Sequence, residues 1–158
     1  MSGPELPIHF VGRVLPQQRH ICAFFNARDD EYQVTLPFIR EGFDRGERAF
    51  HIVGPVEYDQ HVRRLAEFGI DTAGGLSRGQ LAVRLWEEAY LRGGHFDQDA
   101  MLALIESVLQ EGPKLGFPLT RLVAHMEWAL EDRPGVDDLL EYETRLNYVL
   151  PRYKDPVV

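Results

Sequence analysis

Several things are scarce in this sequence, and each scarcity excludes something. There is one cysteine, Cys22, in 158 residues. No disulfide can therefore form within the chain, and a reducing, cytoplasmic setting is expected. Basic residues are outnumbered: 17 Lys and Arg stand against 25 Asp and Glu, for a formal charge of −8. That sign does not suit direct nucleic-acid binding or attachment to an anionic membrane surface. No apolar run approaches the ~20 residues of a membrane-spanning helix. The opening MSGPELPIHF has neither the basic nor the apolar stretch of a signal peptide. A phosphate loop is missing too. The turn after the first apolar run reads FFNARDDEY, which fits neither GxxxxGK(S/T) nor GxGxxG. Its acidic residues would repel a triphosphate, so ordinary ATP hydrolysis is not expected.

What is present suffices for one folded domain. A chain that is 44% hydrophobic and 27% charged builds a core without disulfides or metal. Residues 1–18 hold three prolines and little periodicity, which predicts an irregular arm before a single domain over 19–158. HICAFF (20–25), RAFHIV (48–53), QLAVRLW (80–86) and TRLVAHMEW (120–128) read as four strands. Between them lie helical stripes. Tyr32, Leu36, Ile39 and Phe43 share a face, with Asn26 as cap, Pro37 as a kink and Gly46 as the stop. A second helix is expected over 57–68, followed by a loop at Gly69, Gly74 and Gly75. Asp97 caps a third, lined by Met101, Leu104, Ile105 and Val108 and broken at Gly112 and Pro113. Leu139, Tyr142, Leu146 and Val149 line the last. Short continuous apolar strands alternating with helices predict an α/β fold, with a mostly parallel sheet and helices on both faces.

In such a sheet the strand C-terminal ends share one edge, where ligands bind. Phe25, Asn26, Trp86, Tyr90, His125, Glu127 and Trp128 fall there. This aromatic, mildly polar set suits a small, partly apolar ligand better than a phosphate. If His125 lines the site, affinity should change between about pH 5.5 and 7.5. His20 and Cys22, two apart on one strand and beside His51, allow a metal site; they equally suit a buried histidine and a small hydrophobic cysteine. His125 with Glu127 allows acid–base chemistry, though no nucleophile or metal stands out beside them, and no catalytic residue, metal or cofactor is assigned. Glu127 as a loop cap and Trp128 as packing is the plainer alternative. Glu143 and Asn147, one turn apart, read as a surface pair or structural anchor.

Taken in order, HICAFF with its acidic turn, LPFIREGFDRGERAFHIV, RLVAHMEWAL and LLEYETRLNYVL resemble the MEDS family, the methanogen/methylotroph, DcmR-type sensory domains. The most specific strings are HIC, EGxxxGER, MxWAL and LLEYExRLN. The resemblance covers about residues 18–150. It implies a Rossmann-like, RecA-like three-layer fold without its phosphate loop. It also implies sensing of a small molecule, such as a simple hydrocarbon derivative, passed to a transcriptional or kinase partner. The residues it singles out are His20, Cys22, Glu47, Glu127, Trp128, Glu143 and Asn147. Two departures stand out: Ala124-His125 replaces an acidic position, and the chain reaches DPVV where the family continues with another strand. The expected function is a non-enzymatic sensor with its pocket between the loops after strands one, three and four, and a homodimer is one possible assembly. The rivals are a ligand-free adaptor for a histidine kinase or sigma-factor regulator, and a small metal-dependent or acid–base hydrolase.

Overall fold

A computed structural model describes residues 5–158. The N-terminal arm is not wholly irregular. β1 (His9–Phe10) pairs antiparallel with β2 (Arg13–Val14) in a small hairpin. Then come α1 (Arg28–Asp44), β3 (Arg48–Val53), α2 (Tyr58–Glu67), α3 (Thr72–Arg78), β4 (Leu81–Leu85), α4 (Gln98–Lys114), β5 (Thr120–Ala124) and α5 (Leu139–Val149). The chain is a mixed α/β fold around a three-stranded parallel sheet of order β4-β3-β5. Among the described residues no helix is long and apolar enough to cross a membrane.

The strand sequences explain this order. All six residues of β3 are buried, as a central strand between two neighbours requires. Its side chains alternate between two clusters. Ala49 and Val53 join Phe38, Ile39 and Phe43 of α1 and Leu65 of α2. Phe50 and Ile52 join Met101, Ile105 and Leu109 of α4 and Tyr142 and Leu146 of α5. Asp97 caps α4 as expected, accepting from the Ala100 amide at 3.0 Å.

Several expectations change. HICAFF is not a strand: among its residues the one bridge is His20 to Val157. Phe24 is 95% exposed, because this segment lies outside the last ladder and no layer of the described residues covers it. Its neighbour is Pro156–Val158, which takes the place beside β5. Leu122 donates to the Pro156 carbonyl and Ala124 to that of Val158, at 3.0 and 2.9 Å. Asn26 does not cap α1; extended Ala27 precedes that helix, with no side-chain bond, while Asp29, Asp30 and Glu31 occupy the first turn. α1 runs as one helix through Pro37. Gly74 and Gly75 lie inside α3, whose N-terminus Asp71 caps, rather than in a loop. α4 continues past Gly112 and Pro113 to Lys114.

Gly42 and Gly46 shape the turn from α1 into β3. Gly46 takes the left-handed conformation at φ 77°. Gly42 is buried, and a Cβ there would overlap Arg121 Cδ at 2.6 Å and Glu47 Oε2 at 2.7 Å. Gly42→Ala is therefore expected to cost about 1–3 kcal/mol by overpacking, more than the ~1 kcal/mol that alanine gains in helix propensity. A urea midpoint that rises instead would show that these side chains move aside freely.

Candidate functional site

The C-terminal strand edge is built around His125. Its amide donates to the Ile52 carbonyl at 2.8 Å, and its carbonyl accepts from Trp86 Nε1 at 2.9 Å. The ring is buried. Nε2 lies 2.7 Å from Glu31 Oε1, and Nδ1 lies 3.2 Å from an Arg28 nitrogen. A guanidinium only donates, so Nδ1 accepts and Nε2–H donates to Glu31. Arg28 also pairs with Glu31 at 3.1 Å, Glu57 at 3.6 Å and Glu127. Burial opposes ionisation of Glu31, but its bonds to His125 and Arg28 hold the carboxyl below its ordinary range.

Behind this cluster runs a buried chain of three groups. The Tyr32 hydroxyl lies 2.7 Å from His61 Nδ1, and His61 Nε2 lies 2.8 Å from His51 Nδ1. His51 Nε2 is buried and has no partner among the described residues. Burial, then the nearby His125, push His51 down to about 3. His61 is also held well below its ordinary value by burial and by His51.

A second cluster forms where segment 20–22 meets α5. His20 Nδ1 lies 3.0 Å from Asn147 Oδ1, and its Nε2 lies 3.1 Å from Glu143 Oε2. Cys22 Sγ donates to the same Glu143 oxygen at 3.4 Å. Partial burial of the thiol, then the Glu143 charge, push Cys22 up to about 11. For His20 burial opposes protonation, yet Glu143 and Asn147 raise the ring overall.

Beneath it lies an aromatic cluster of Tyr90, Phe96, Trp128 and Tyr142, all buried. Trp128 sits with its ring centroid 5.0 Å from Tyr90 and 5.2 Å from Phe96. Its Nε1 is buried with no hydrogen-bond partner among the described residues. The Tyr142 hydroxyl lies near that of Tyr90, without a hydrogen bond of good geometry. Burial first, then charges including those of Glu143 and Cys22, raise both tyrosines, so the two clusters adjoin.

The expected site residues therefore divide. His20, Cys22, Glu143 and Asn147 come together. His51 does not join them: β5 and Val157 stand between β3 and His20. His125 and Glu127 meet at Arg28. Trp86, Tyr90 and Trp128 fill a core cluster rather than lining an opening, because rings bury their area well against each other. Phe25 is half-buried and Asn26 exposed, and neither belongs to a core cluster. Glu47 bonds to Arg121 inside the fold. Phe96, Glu31, Tyr32 and His61 were not anticipated as site residues. His61 had one signal: it precedes Leu65 by four, the inward face of α2.

Comparison with known proteins identifies the family of the chain. The model of the MEDS family (MEthanogen/methylotroph, DcmR Sensory domain) matches residues 19–156. The transcriptional repressor DcmR of Methylorubrum extorquens (strain DSM 6343 / CIP 106787 / DM4) is 25% identical over 131 residues, which is 83% of this chain. The chain spans about half, 46%, of that relative's length. No solved structure matches. The family model takes in nearly the whole sheet and the residues of both clusters, and the chain belongs to the methanogen/methylotroph, DcmR-type sensory domain family.

Proposed function

We propose that the chain is a non-enzymatic sensory domain that binds a small, partly apolar molecule, such as a simple hydrocarbon derivative with one polar end. We read its fold as three-layered and Rossmann-like, without a phosphate loop. The observation that carries the binding proposal is the unpartnered Nε1 of Trp128, at the heart of an aromatic cluster that adjoins Cys22 and Glu143. A buried unpaired donor costs about 1–3 kcal/mol. A ligand that brings an acceptor to it removes that cost and so favours the conformation that admits it. That is the differential affinity a sensor needs. The rings are in contact, with centroids 5.0 and 5.2 Å from that of Trp128, so a small molecule is admitted only by displacement of a ring. His125 has both ring nitrogens engaged, by Arg28 and Glu31, which leaves neither free to serve as a general base in this arrangement or to contact a ligand. The role of the relative DcmR as a transcriptional repressor supports output to a transcriptional or kinase partner, not through direct nucleic-acid or membrane contact, given the −8 charge.

A thermal-shift screen of short alcohols, halocarbons and nucleotides tests this. A binder at about 100 times its Kd adds about 2.7 kcal/mol, a midpoint rise of roughly 5–10 °C in a domain of this size. We expect an alcohol or halocarbon to give it and nucleotides not to, and Trp128→Phe to abolish it. No shift from any organic compound, or a shift that survives Trp128→Phe, would overturn the reading. Leu140 at 80% and Tyr148 at 79% exposure, eight apart on α5, favour a second reading as a protein-docking adaptor. That reading predicts partner capture with no small-molecule shift.

A further inference from the structure

We propose that His20, Cys22 and Glu143 form a binding site for one divalent transition-metal ion of zinc's class, with Asn147 as a positioning residue. The inference rests on these side chains and stands independently of the sensory reading. The three ligand atoms lie within 4.8 Å of one another. His20 Nε2 and Cys22 Sγ converge on the same oxygen of Glu143, at 3.1 and 3.4 Å. Ligand atoms around tetrahedral zinc stand roughly 3.3–3.8 Å apart, given its bond lengths to nitrogen, sulfur and oxygen. Small movements therefore make the site. One imidazole, one thiolate and one carboxylate match an ion of borderline softness rather than magnesium or calcium, which take oxygen.

Asn147 supplies the outer support. Its Oδ1 lies 3.0 Å from His20 Nδ1, which places the ring proton there and turns Nε2 toward the other two ligands. Asn147 stands one turn beyond Glu143 on α5, and its amide also donates to the Glu143 carbonyl at 3.3 Å, so one helix face carries both a ligand and its support. The ion would displace the thiol proton of Cys22 and, where the ring is charged, the Nε2 proton of His20. Binding thus releases up to two protons and tightens as pH rises. Three protein ligands leave a fourth position for water or a small molecule. The other His-carboxylate group, Glu31, His125 and Glu127, is a poorer site. The Arg28 guanidinium lies among its oxygens and engages His125 Nδ1.

Cobalt is the probe. The full chain, stripped with a chelator and titrated with Co2+, is expected to show a 1:1 end point. It should give tetrahedral visible bands and a thiolate-to-cobalt charge-transfer band in the near ultraviolet, and Zn2+ should displace both. Cys22→Ser should remove the charge-transfer band. Glu143→Gln and His20→Gln should weaken binding at least about tenfold, and Asn147→Ala roughly tenfold or more. Circular dichroism and the unfolding midpoint of each variant separate a lost ligand from a lost fold. A spectrum without the charge-transfer band, a band that survives Cys22→Ser, or no saturable signal at millimolar ion would each overturn the site. So would loss of binding in Glu127→Gln with Glu143→Gln unaffected.

Discussion

Lowering the pH from 7 to about 4.5 is expected to remove roughly 3–5 kcal/mol of stability, with His51 and His61 as the main cause. Both rings are fully buried, and burial leads the causes that depress them, His51 to about 3. In the unfolded chain each takes up a proton near its ordinary value of about 6.5. Between that value and the folded one, the unfolded state binds more protons than the native state. Stability then rises with pH and is lost as pH falls below about 6.5. Each excluded proton contributes about 1.4 kcal/mol per pH unit. His20 acts the other way: its raised ring adds stability below its unfolded value and loses it as pH climbs through the folded one. That offset is felt near neutrality and does not grow in acid. Urea unfolding at pH 7, 5.5 and 4.5 measures the slope. His51→Gln keeps a polar partner for His61 and is expected to reduce the slope by about one proton. Equal slopes in the two proteins would show that the His51 ring is protonated as readily in the fold as outside it.

How much of this was readable from residues alone depends on where each segment ends up. RAFHIV, LAVRL and TRLVA are strands and look like strands, because a strand covered on both faces must be apolar throughout. HICAFF has the same composition and a different fate. Composition reports what a segment can bury, and at the sheet edge none of the described residues covers Phe24. Glu143 and Asn147 sit one helical turn apart, so their shared face was legible. That His20 and Cys22 would arrive on that face, more than 120 positions away in sequence, follows only from the chain's return through Pro156–Val158 to β5. The Tyr32–His61–His51 chain was hidden for the same reason: α1, α2 and β3 each supply one member. Trp128 was readable as either rim or core, and the core claims it because Tyr90, Phe96 and Tyr142 are there to pack against.

The string EGxxxGER has a physical explanation that its spacing did not disclose, and it carries the other large effect. Glu41 and Glu47, its two glutamates, both bind Arg121 from β5: Nε to Glu47 at 2.5 Å and Nη1 to Glu41 at 2.9 Å. Nη1 also donates to the Phe38 carbonyl at 2.6 Å, and the guanidinium lies over the Phe38 ring. Gly42 between the acids leaves the space. Arg121 is 1% exposed and Glu47 7%, so Arg121→Met strands a buried carboxylate. Removing one partner of such a pair costs about 3–5 kcal/mol, against the 5–15 kcal/mol that holds a typical domain together. The thermal midpoint should fall by roughly 6–20 °C. Replacing both partners, Arg121→Met with Glu47→Leu, removes the stranded charge along with its mate and is expected to restore most of the loss, since a packed apolar pair is often as stable as a buried ionic one. Glu41 tolerates the change because His9 and Arg45 remain beside it, at 2.5 and 3.0 Å. If the double variant is as unstable as the single one, the loss comes from packing around Arg121 and not from the orphaned charge of Glu47.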